Sequence, residues 1–126
     1  MKFSVIEPPR VFEPSVDVRI KDCAQIALDP DEQVTFVTES GAEYDVARKS
    51  WGFYATPSLN GRLARSGLRA ALVKNPNAKF YIVLVEKGKE VDFARYLSTE
   101  GQKVVSWLDG DVPLGELEAR LERGAG

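Results

Sequence analysis

The sequence predicts an α+β domain built on a mixed, mostly antiparallel sheet of about six strands, with about three helices. Three observations carry that expectation. The first half alternates apolar and polar residues with a period of two. The second half sets strand-like apolar runs among segments of helical period. Turn formers separate the elements, and strands come in groups instead of alternating strictly with helices. With 126 residues, 44% hydrophobic and 29% charged, the chain suits one domain, able to bury about two thirds of the surface its unfolded form exposes. That domain is expected over residues 16–123, with no linker wide enough to divide it.

Residues 1–15 open with a short strand, Lys2–Ile6. Pro8, Pro9 and Pro14 then favour an extended arm with few internal hydrogen bonds. From Val16 the alternation of Val16, Val18 and Ile20 continues in the same parity through Ala24, Ile26 and Leu28. This predicts one long strand, or two with a bulge near Asp22, with one face buried. Asp29-Pro30-Asp31-Glu32 turns the chain. A strand follows over Gln33–Glu39 with Val34 and Phe36 inward. Ser40-Gly41 is a hairpin turn, and Glu43–Ser50 returns with Tyr44 and Val46 inward. Trp51–Ala55 reads as a loop of large side chains.

Thr56-Pro57-Ser58 reads as a helix start, because Thr56 suits the cap and Pro57 the first helical position. That helix would run to about Arg65 and stop at Ser66-Gly67, with Gly61 weakening its middle. Arg69–Lys74 and Lys79–Glu86 are strands around the loop Asn75-Pro76-Asn77-Ala78. Phe80–Val85 is apolar on both parities, which places that strand at the sheet centre. Glu90–Glu100 is a helix closed by Gly101, and Lys103–Leu108 is a strand. Residues 79–108 thus form strand–helix–strand, with two strands parallel through a right-handed crossover. After Asp109-Gly110-Asp111, Pro113 begins a last helix with a stripe of Leu114, Leu117 and Leu121. Residues 124–126 read as a frayed tail.

Composition narrows the chemistry. There is no histidine, which removes the commonest general base and the commonest metal ligand. Cys23 is the one cysteine, so an intrachain disulfide or a Cys-rich zinc site is excluded. No phosphate-cradling Gly-Lys-Ser/Thr loop and no GxGxxG occurs. No catalytic residue, metal or cofactor is therefore assigned. Glu7 and the early prolines interrupt any signal-peptide pattern, and no window nears the roughly 18 apolar residues of a membrane span. The reading is a cytoplasmic protein of bacterial type that does not engage a membrane.

Charge is distributed unevenly. Residues 46–85 hold seven cations and no acid, whereas the first 45 residues carry a net −6 and the last 41 a net −3. A local field of this kind selects partners more than the total of −2 does. A helix N-terminus at Thr56 and Ser58 would offer free amides to a phosphate or carboxylate. Arg48, Lys49, Arg62 and Arg65 are expected to converge there, with Asn60 as a hydrogen-bonding group. Trp51 and Tyr54, with Phe53, would form a stacking wall. The plainer alternative pairs these cations with acids of adjacent strands and packs the aromatics in the core. The acidic flanks and a pI near 5.2 disfavour nucleic acid. Asp109-Gly110-Asp111 resembles the Asp-x-Asp metal–diphosphate element of many glycosyltransferases, although a turn and helix cap account for it more simply.

The function expected from these features is a non-catalytic binding or accessory module. It would recognise a small anionic ligand, of phosphate, nucleotide or sugar-phosphate type, or an acidic partner surface. The alternatives are a small enzyme of sugar-nucleotide chemistry and a structural subunit of a homo-oligomer.

Overall fold

The computed structural model describes residues 1–125, and among these it contains eight strands and three helices. The fold is α+β. Its strands fall into three small sheets, ordered β1-β2, β3-β4-β5 and β7-β6-β8, where the sequence suggested one. The chain gathers into two compact units: one of residues 1–35 and 45–56, the other of residues 36–44 and everything from Pro57 onward.

The first unit opens with a hairpin of β1 (Lys2–Ser15) and β2 (Val18–Ala27). An arm with few hydrogen bonds was expected over residues 1–15; the segment is instead a paired strand. The prolines permit this because the ladder skips them. Its register shifts between Val5 and Arg10, which spans Pro8 and Pro9, and again between Phe12 and Ser15, which spans Pro14. A missing amide costs nothing where no partner strand would use it. Val16, expected to face inward, lies in the two-residue turn closed by Ser15 and Val18 and is 98% exposed. β4 (Glu43–Lys49) pairs antiparallel with β5 (Gly52–Ala55), so the expected loop at 51–55 is largely a strand. Gly52 makes the tight return possible, with φ at 147°, which L side chains rarely adopt. β3 (Gln33–Val37) borders β4 on its other side.

In the second unit β6 (Leu68–Lys74) pairs antiparallel with both β7 (Phe80–Glu86) and β8 (Lys103–Trp107). β7 and β8 are therefore parallel to each other, as the strand–helix–strand reading required, with β6 inserted between them. The sheet centre is β6, not the Lys79–Glu86 strand. Ala70, Ala71 and Val73 of β6 are fully buried, whereas Phe80, Tyr81 and Ile82 of β7 stand exposed on an edge. The strand paired on both edges is the buried one, and apolarity alone does not choose it.

α2 (Glu90–Glu100) ends as expected at Gly101, whose φ of 67° is left-handed; the Gln102 amide closes the cap on the Leu97 carbonyl at 2.8 Å. α1 is a single turn, Arg62–Arg65, and α3 runs over Asp111–Ala125. Leu63 of α1 is fully buried in a cluster with Ala42, Leu68 and Ala70. Of the tail expected over 124–126, Gly124 and Ala125 continue α3, and Gly126 lies outside the described residues. Among the described residues no helix is long and apolar enough to cross a membrane.

Candidate functional site

The nine candidate residues divide between the two units. Arg48, Lys49, Trp51, Tyr54 and Thr56 belong to the first; Ser58, Asn60, Arg62 and Arg65 belong to the second.

In the first unit the β4–β5 register decides which side chains meet. Arg48 stands opposite Phe53, Ala47 opposite Tyr54 and Lys49 opposite Gly52. Opposed residues share a face and neighbours along a strand alternate. Arg48 and Phe53 therefore lie on one face, Lys49 and Tyr54 on the other, and Trp51 sits in the turn between the strands. Trp51, Phe53 and Tyr54 are 70%, 65% and 51% exposed, so none of them packs a core. Lys49 forms an ion pair with Asp31. The Arg48 side chain is half-buried, and its Nη1 is enclosed without a hydrogen-bond acceptor. An enclosed donor left unpaired is costly.

Thr56 does not cap a helix. Its amide donates to the Asp45 carbonyl at 3.1 Å, and its hydroxyl lies 3.4 Å from the same oxygen. That commitment holds Thr56 to β4 and leaves no free helix amides at Thr56–Ser58. The helix starts five residues later, after Gly61, with no side-chain cap, and its four residues sum to little dipole.

In the second unit the Ser58 hydroxyl accepts the Arg62 amide at 3.0 Å, and the Ser58 carbonyl accepts those of Gly61 and Leu63. Asn60 donates through Nδ2 to Asp111 Oδ1 at 2.8 Å. Arg62 is likewise engaged within the fold. Arg65 is exposed and lines a hollow of about 220 Å³ with Ser40, Ser66, Gly67, Glu86 and Lys87. The Ser40 hydroxyl donates to the Glu86 carboxylate there, and this bond holds that carboxyl below its usual value. A carboxylate in the hollow works against an incoming anion. An apolar hollow of about 200 Å³ lies among Phe36, Tyr44, Leu68 and Leu84, where burial raises the Tyr44 phenol above its usual pKa.

Asp109-Gly110-Asp111 is a turn leading into α3, and both carboxylates have protein partners. Asp109 accepts from Arg69 Nε at 3.1 Å, while the Arg69 guanidinium stacks 3.8 Å from the Trp107 ring centre. Asp111 receives Asn60. Among the described residues no group of three or more His, Cys, Asp or Glu stands close enough to hold a metal.

Sequence reasoning passed over one surface. The β1–β2 hairpin leaves Phe3, Val5, Phe12 and Ile20 exposed. The signal was present in the alternation of β2, but it was assigned to the chain's own interior. Set against family models, curated proteins and solved structures, the chain matches none.

Proposed function

We propose that the protein is a non-catalytic binding module that engages an acidic partner surface through the β4–β5 hairpin. One observation carries the reading: Phe53 stands 65% exposed on the face that carries the half-buried Arg48, with Trp51 70% exposed in the turn between the two strands. Aromatic residues and Arg are the side chains that supply most binding energy at protein interfaces, because they bury large area and hydrogen-bond at once. The hairpin puts β5, with Phe53 and Tyr54 exposed, at the edge of its sheet. Such an edge suits a partner surface better than a small anion, which needs a concave pocket. Trp51 and Phe53 supply contact area, Arg48 directs an acid to their side, and Lys49, already held by Asp31, adds positive field.

A thermal-shift screen tests this with poly-glutamate, inorganic phosphate, nucleotides and sugar phosphates at low and moderate salt. A ligand at a hundred times its dissociation constant adds about 2.7 kcal/mol, a shift of several degrees. Stabilisation by poly-glutamate is expected, weaker at higher salt, and lost in Trp51→Ala and in Arg48→Ala with the fold intact. A response confined to phosphate compounds would return the reading to a small-anion site. Silence across the panel would sink both.

A further inference from the structure

We propose that one face of the β1–β2 hairpin is a self-association surface, covered in solution by the same face of a second copy of this chain. Opposed residues of an antiparallel ladder share a face, and alternate residues along a strand stay on it. On this face Phe3 stands opposite Ile26, Val5 opposite Ala24, and Phe12 opposite Ile20. Arg10 stands opposite Asp22 midway between these apolar ends, and the two form an ion pair. The reverse face is more polar, with Ser4 opposite Gln25, Lys2 opposite Ala27 and Lys21 opposite Val11. Phe3, Val5 and Phe12 are 60%, 63% and 49% exposed, so among the described residues nothing in this unit covers the apolar face. The ten residues of β2 make that face about 34 Å long at roughly 3.4 Å per residue. Two strands alone are marginal in water without something packed on their apolar side.

The central ion pair selects the occupant. A foreign apolar surface laid on this stripe would strip Arg10 and Asp22 of water and return nothing. A second hairpin supplies the match. A two-fold axis running along the strands, midway between them, sets β1 of one copy over β2 of the other. Each register pair then meets its own reverse: Phe3 over Ile26, Phe12 over Ile20, Arg10 over Asp22. The four charges close into a ring of alternating sign, and every apolar pair meets an apolar pair. This is the self-complementarity an isologous interface requires. A face two strands wide is small by the standard of stable complexes, so the dimer should dissociate on dilution.

Sedimentation velocity over a wide dilution series tests the proposal. The wild-type protein is expected to pass from dimer to monomer on dilution. Phe12→Lys, on the apolar face, should be monomeric throughout, and Lys21→Glu, on the reverse face, should behave as wild type. Arg10→Asp and Asp22→Arg each place four like charges in the ring and should be monomeric alone. An equimolar mixture of these two variants sets two acids of one copy over two arginines of the other, so that each charge meets its opposite across the interface, and should give a heterodimer. Circular dichroism establishes that each variant is folded. If Phe12→Lys or the charge variants do not fold, Phe12→Ala decides in their place, with an expected rise of about tenfold or more in the dissociation constant. A wild-type monomer at every concentration overturns the proposal and leaves the face to a different protein. A dimer indifferent to folded Phe12 variants overturns it too, as does a mixture of folded charge variants that stays monomeric.

Discussion

The two compact units of this chain differ in what they bury. The second encloses Leu63, Leu68, Ala70, Ala71, Val73 and Val85. In the first, the buried residue among those described is Asp45, which accepts the Thr35 hydroxyl at 2.6 Å, while Phe3, Val5, Phe12, Trp51 and Phe53 face water. Both units are built from strands of similar pattern. A period of two states which face of a strand must be covered, and nothing in it states which molecule does the covering. Where the cover comes from the same chain it is a core. Where it does not, the same pattern is an interface.

The largest effect that would break this comparison lies in the core. Leu63→Ala should cost about 2–5 kcal/mol in denaturant unfolding, because a fully buried leucine leaves both lost contact and a cavity. Ile26→Ala in the hairpin, measured at a dilution where the protein is monomeric, should cost less than about 1 kcal/mol. Equal costs at the two positions would erase the distinction between the units.

Much of the fold was legible where the deciding physics is local. The helix Glu90–Glu100 and its Gly101 cap, the Asn75–Ala78 loop and the parallel relation of β7 and β8 all follow from spacing and turn chemistry. The errors arose where the deciding contact is distant. Phe80–Val85 was placed at the sheet centre on apolarity, but β6, paired on both edges and bearing the fully buried Ala70, Ala71 and Val73, occupies that place. Prolines suggested a free arm at 1–15, and only the register shows that each falls where the ladder is already broken. The candidate site was harder still. Arg48 and Lys49 look convergent as neighbours in sequence, yet strand alternation sends them to opposite faces. The aromatics of residues 51–54 were legible as unusual, but their exposure depends on the strand pairing that carries them, which the loop reading of 51–55 did not contain.

A smaller effect sharpens the picture of the second unit. The Ser40 hydroxyl, then Thr38 and Lys89, hold the Glu86 carboxyl below its ordinary value of 4.5. A carboxylate whose folded pKa is depressed contributes stability that is present above the unfolded value and is lost as pH falls through the folded one. The wild-type protein should therefore lose this contribution on acidification below about pH 4.5. In Ser40→Ala the Glu86 titration should move up and the acid sensitivity shrink. A carboxyl NMR titration reads the shift directly, and an unmoved Glu86 would remove Ser40 as its cause.

The measurement closest to the central claim is amide hydrogen exchange at two protein concentrations. Amides of β6 should exchange slowly at both, since that strand is paired on both edges inside the core. Amides of β1 and β2 should exchange fast in dilute protein and slowly in concentrated protein. Protection of β1 and β2 equal to that of β6 in dilute protein would contradict the account, because it would show that the hairpin is held without a partner.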